Sequence, residues 1–185
     1  METFSDGVIA ILLTIMVLEL KVPHGEHLSD LHDVWPILFS YVLSFVTIGI
    51  YWNNHHHMLR ATERINGAVL WANLHLLFWL SLFSFATGWM GENHFARTPV
   101  ALYGVVLLCA AVAYYILQTA ILRELGPDSR LAKAVGRDLK GKASPLIYSA
   151  GILLTFVDRW LGVIAYGVVA LMWLVPDRRL VPKAM

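Results

Sequence analysis

Three consecutive histidines, His55, His56 and His57, sit in the stretch Tyr51–Leu59, YWNNHHHML. Imidazole is a common metal ligand and the side chain that titrates nearest neutrality. On a helix, however, two ligands converge only at i,i+3 or i,i+4 spacing. Adjacent histidines point in different directions, and no HExxH or CxxC motif accompanies them. No metal site is expected here; one or two of these rings are expected to bond a helix end or a carboxylate. Asn73 and His75 lie in the apolar run LWANLHLLFWL. Polar groups at that depth need partners, so both are expected to face other helices. Asp6 follows Ser5 at the start of FSDGVIAILLTIMVLEL, Phe4–Leu20. Either residue can cap free N–H groups of a helix beginning there. Alternatively, Asp6 is buried between helices and locked to a cationic partner. Thr14, in the middle of the same run, can bond the carbonyl one turn back or present its hydroxyl elsewhere.

The elements that must position these groups are membrane spans. The chain has 185 residues, 58% of them hydrophobic and only 15% charged, which is too little charge for an ordinary soluble domain of this size. A helix crosses a bilayer with roughly 17–25 apolar residues. Six runs qualify or nearly so: 4–20, 35–52, 68–90, 99–122, 145–157 and 160–175. Thr98-Pro99 and Ser144-Pro145 read as helix starts, because proline suits the first helical position. Only Asp158 and Arg159 separate the last two runs, which predicts a tight helical hairpin. One continuous helix would carry both charges near mid-bilayer, at a cost of order 2.5–3.5 kcal/mol each. No basic leader or small-residue cleavage site marks the first run as a signal peptide, so it is read as a retained span.

Six spans place both termini on one side, together with eleven Lys and Arg; Lys21, Arg97 and Arg159 fall on the other. The positive-inside rule then makes both termini cytoplasmic, in a multi-pass protein of the cell membrane. The basic connector 123–144 is expected to be partly helical and to meet anionic lipid headgroups rather than nucleic acid. Trp35, Trp52, Trp89 and Trp160 lie near span ends, as interfacial anchors do, whereas Trp71 and Trp79 are expected to pack between helices. The lone Cys109 excludes an intrachain disulfide. No nucleotide-binding loop, nucleophile elbow, zinc-protease motif or TVGYG filter is present, so nothing points to an enzyme or a cofactor. Residues 8–18 are apolar all round apart from Thr14, so periodicity does not say whether this helix faces lipid, protein or a pore.

The FSDG tetrapeptide opening an Ile/Leu-rich helix that ends Met16-Val17-Leu18-Glu19-Leu20 resembles the transmembrane protein 175 family of potassium channels, in its prokaryotic single-repeat form. The six-run layout and the Trp52-Asn53 and His55-His56 cluster are similar too. The resemblance implies an all-α integral membrane protein with six-span subunits, a homotetramer, and first helices lining a central pore. It implies passive potassium flux through a hydrophobic constriction, with potassium as the permeant ion and no other cofactor. Carried over, Ile11, Ile15 and Leu18 form the constriction and Thr14 a hydroxyl layer. Phe4, Ser5 and Asp6 anchor the helix, and Trp52, Asn53, His55, His56, Asn73 and His75 form an interhelical polar network. The family motif also has an arginine four residues before the phenylalanine. Here only Met1, Glu2 and Thr3 precede Phe4, so either the start is truncated or another cation serves Asp6, with Arg60, Arg64 and the histidines as candidates. A rival reading is a proton-coupled transporter using Asp6, His75 and His55–His57; it calls for a broken helix at the midplane, and the first run has no break after Gly7.

Overall fold

The computed structural model describes residues 1–60, 62, 65–127, 129, 131–132 and 138–174. Six long helices make up this part of the chain: α1 (Glu2–Met16), α2 (Trp35–Arg60), α3 (Gly67–Glu92), α4 (Arg97–Leu125), α5 (Leu139–Thr155) and α6 (Arg159–Leu174). α2, α3 and α4 have 26, 26 and 29 residues and are long and apolar enough to cross a membrane. α1, α5 and α6 have 15, 17 and 16 residues. At about 1.5 Å per residue they span roughly 22–26 Å.

The boundaries differ from the sequence reading for local reasons. α1 starts at Glu2, so neither Ser5 nor Asp6 caps it; both lie inside the second turn. Its α-helical geometry stops at Met16, and Val17–Glu19 form a tighter 3-10 turn. α2 runs eight residues beyond the expected end and carries Asn53 to Arg60 as helix. Asn66 caps α3 by accepting from the Val69 N–H at 3.0 Å. α4 begins at Arg97 without a side-chain cap, so Thr98 is helical, and Pro99 falls in the first turn, where its missing N–H costs nothing. α5 begins well before Ser144-Pro145, because Asp138, at φ 34°, accepts from the Gly141 N–H at 3.0 Å. Pro145 is therefore inside the helix. The expected connector is shortened at both ends by α4 and α5. A three-residue turn, Phe156–Asp158, joins α5 to α6; Asp158 accepts from the Trp160 N–H at 2.8 Å.

α3 is the central element, packed against α1, α2 and α4; α4 also packs on α5 and α6. The core contains Ile48, Leu76, Leu80, Phe83, Tyr103, Leu107 and Tyr166, all essentially inaccessible. Ser44 lies 2.6 Å from the Thr87 hydroxyl and 3.0 Å from that of Tyr103, so three buried hydroxyls pair with one another across α2, α3 and α4. Gly104 lets α6 approach: a Cβ there would run into the Tyr166 hydroxyl, which donates to the Val100 carbonyl at 3.3 Å.

The helices alternate in direction, and side chains tie each end. At one end Asn66 donates to Glu124 at 2.6 Å and Arg60 to Glu2 at 3.2 Å. At the other, Lys21 pairs with Glu92 at 2.6 Å and Arg159 donates to the His94 carbonyl at 3.0 Å. Arg64, Arg130, Lys133, Arg137, Arg178, Arg179 and Lys183, seven of the eleven basic residues assigned to the first end, lie outside the described residues.

Candidate functional site: the first helix and its polar anchor

α1 has two unlike faces. Ser5, Ile9, Leu12 and Met16 recur at i, i+4, i+7 and i+11 and are buried against α2 and α3. Phe4, Gly7, Ile11, Thr14 and Ile15 lie on the opposite face, which no other described part of the chain covers. Ile11 is 57% exposed and Leu18, beyond the end of the α-helix, 78%. Because the 3-10 turn advances the chain by about 120° rather than 100° per residue, Leu18 does not continue the α-helical row from Ile11 and Ile15. It stays on the bare side nonetheless. The Thr14 hydroxyl donates backwards, at 2.9 Å to the Ile11 carbonyl and 3.1 Å to that of Ala10. With its proton turned to the helix, the oxygen keeps its lone pairs for the bare side.

The covered face carries a three-residue polar chain. Asn73 of α3 donates through Nδ2 to Ser5 Oγ at 2.9 Å, and its Oδ1 lies 2.7 Å from His55 Nε2. All three residues are at most 1% exposed. Asn73 thereby links α1, α2 and α3 at one point. Since the amide oxygen can only accept, the His55 ring donates from Nε2.

A second cluster lies on the seam between α1 and α2. Trp52 Nε1 donates to Asp6 Oδ1 at 2.9 Å. His56 Nδ1 is 3.7 Å from Asp6 and 3.2 Å from Glu2, and Arg60 binds Glu2. The Trp52 ring rests 5.6 Å from the His56 ring. Asp6 is thus held by an indole, with the His56 imidazole near it but not hydrogen-bonded to it; Arg60 goes to Glu2 instead. Its carboxylate is a third exposed in the single chain rather than buried. Glu2 has a place in this cluster that the sequence reading did not give it; the available signal was its i,i+4 spacing from Asp6.

Other expected members of the network lie elsewhere. The three histidines diverge: His55 is buried, His56 half-buried and His57 exposed. Asn53 is exposed and bonds to no other helix among the described residues. His75 lies on the outer face of α3 and accepts from Trp79 Nε1 of the same helix at 2.9 Å. Two residues apart means about 200° around a helix, so Asn73 and His75 cannot both face inward. Trp71 also points away from the bundle, at 75% exposure. Glu2, Asp6 and His56 each offer one donor atom, all within 4.8 Å of one another; this is the set among the described residues that could hold a metal ion.

Residues 1–83 match the family described as endosomal/lysosomal potassium channel TMEM175. A potassium channel of Chryseobacterium sp. is 48% identical over 97% of this chain and 94% of its own length. The chain belongs to the TMEM175 channel family. A potassium channel of Streptomyces collinus is 30% identical, over 92% of this chain and 88% of its own length. The crystal structure of a lysosomal potassium-selective channel TMEM175 homolog from Chamaesiphon minutus superposes with a TM-score of 0.82 at 28% identity, covering 95% of each chain. The TMEM175 family is one of ion channels rather than enzymes, and its helical architecture accounts for the bundle described above.

Proposed function

We propose that this chain forms a homotetrameric potassium channel in which four α1 helices line a central pathway for passive flux. The observation that carries the reading is the division of α1: one face is committed to α2 and α3, and the other is apolar and uncovered. That bare face can meet lipid, a partner or a pore, and the relatives' shared description as potassium channels favours the pore.

Four copies of Ile11, Ile15 and Leu18 would narrow the pathway over about 10 Å. Such an apolar neck conducts only when hydrated and closes by dewetting. The Thr14 oxygens would be the polar ring within it. Ser5 and Asp6 would fix the helix through Asn73 and Trp52, whereas Phe4 lies on the bare face. All six helices are read as spans, with the three short ones completed by adjoining turns and by residues at the interface. The positive-inside balance of the sequence favours both termini in the cytoplasm, and the channel is read as one of the cell membrane.

Two measurements test this. Native mass spectrometry of the detergent-purified protein should give four copies, and the protein in liposomes should pass potassium without an applied proton gradient. Ile11→Asn should hydrate the neck and move the reversal potential under a potassium/sodium gradient toward sodium. A conducting species with fewer than four copies, or an unchanged reversal potential in a folded Ile11→Asn tetramer, would overturn the assignment of α1 to the pore.

A further inference from the structure

A cavity lies between α2, α4, α5 and α6, away from the bare face of α1. Its walls include Tyr51, Ala111, Tyr114, Gln118, Tyr148 and Ala170. Measured by the space open to water centres it is about 40 Å³, against roughly 10–15 Å³ for one water molecule. The walls are mostly apolar, and no Asp, Glu, Lys, Arg or His is among the lining residues.

Four polar groups on these walls lack partners. The Gln118 amide and the hydroxyls of Tyr51, Tyr114 and Tyr148 form no hydrogen bond with any described residue, whereas nearby Ser144 accepts from Trp173 and donates to the Lys140 carbonyl. Gln118 is 7% exposed and Tyr148 3%. Tyr51 and Tyr114 are half-buried, and all four groups open onto the cavity; buried polar groups are nearly always bonded, so Gln118 and Tyr148 call for a partner within it. Amide and phenol both donate and accept, which matches a hydroxyl or carbonyl. A charged head would find no counter-charge among the described residues that line the walls.

We propose that this cavity binds the small neutral head of a membrane-soluble amphiphile, an alkanol-type hydroxyl, with its apolar tail leaving through the open side toward lipid. The volume admits only a few heavy atoms, so a sugar or phosphate head does not fit. Gln118 and the three tyrosines supply the hydrogen bonds, and Ala111 and Ala170 leave the room. The site is separate from the proposed pore, and its occupancy does not depend on that reading.

The test uses photoreactive 3-azioctanol on the full chain in phosphatidylcholine liposomes, with adducts located by mass spectrometry. Labelling is expected on Tyr51, Tyr114 or Tyr148, to fall at least fivefold with excess 1-octanol, and to be spared by octanoate. Ala111→Phe fills the cavity from α4 and should remove the labelling. Should that variant not give a monodisperse protein, Ala170→Leu fills it from α6 and serves the same purpose. Gln118→Leu keeps the volume, removes the amide, and should lower labelling several-fold. Labelling that persists in a folded, cavity-filled variant, or that 1-octanol does not displace, would overturn the site. Equal displacement by octanoate would overturn the neutral head and point to the Lys140 ammonium, 6.0 Å from the Trp173 ring centroid.

Discussion

The two faces of α1 solve opposite problems with similar residues. On the covered face, Ile9, Leu12 and Met16 fill space against α2 and α3, and Ser5 plugs into the Asn73–His55 chain. On the bare face, Ile11 and Ile15 are just as apolar but remain exposed among the described residues. In lipid the hydrophobic effect does not favour one face over the other, because acyl chains are as apolar as leucine. Close packing and a few interhelical hydrogen bonds must therefore decide which way the helix turns. The comparison teaches that the polar minority on α1, rather than its apolar majority, sets its rotation and leaves the second face bare.

The comparison breaks most severely at Asn73. Asn73→Leu strands both Ser5 Oγ and the His55 ring, at about 1–3 kcal/mol for each buried unpaired group. Thermal unfolding in detergent should fall by several degrees, with loss of the oligomer. An unaltered melting temperature would mean that packing alone fixes α1. Next comes the seam. Asp6→Ala removes the acceptor from Trp52 Nε1 and should cost about 1 kcal/mol, while Asp6→Asn keeps an acceptor and should recover most of it. Equal melting temperatures for the two variants would show that the charge, not the hydrogen bond, matters at this position.

On the bare face the outcome should invert. Thr14→Val keeps the shape and loses a hydroxyl whose proton is already returned to the helix, so stability should shift by no more than about 0.5 kcal/mol. The potassium-over-sodium preference, read from bi-ionic reversal potentials, should nevertheless fall. Wild-type selectivity in this variant would remove Thr14 from the ion path and leave Ile11 to act alone. The smallest effect belongs to the far end of the bundle. The hydrogen bond and charge of Glu92 raise the pKa of Lys21 above its usual value. A raised folded-state pKa makes the pair's contribution present below the ordinary lysine pKa and lost as pH rises through the folded one. Lys21→Met should therefore lower the melting temperature slightly near neutrality and converge with the unmodified chain in strong alkali.

Much of the architecture was legible before any coordinates. Composition requires a membrane protein, the apolar runs mark six helices, and the Asp158-Arg159 pair breaks the last two because charges are too costly at mid-bilayer. Helix starts were less legible: Pro99 and Pro145 point to the right neighbourhoods, but a first-turn proline and an interior one look alike in sequence. The FSDG opening identified the family, and with it an expected face for α1, through resemblance rather than periodicity.

The sequence by itself determined the helices, the membrane setting and the presence of polar groups that need partners, since these follow from local propensity and solvation. Tertiary structure alone decided which partners those groups take. Asn73 reaches Ser5 and His55 while His75, two residues on, faces out; Asp6 goes to Trp52 while Arg60 turns to Glu2. A helix fixes where its own side chains point relative to one another, but its rotation and depth against neighbours come from packing across the whole bundle. No short stretch of sequence contains that information.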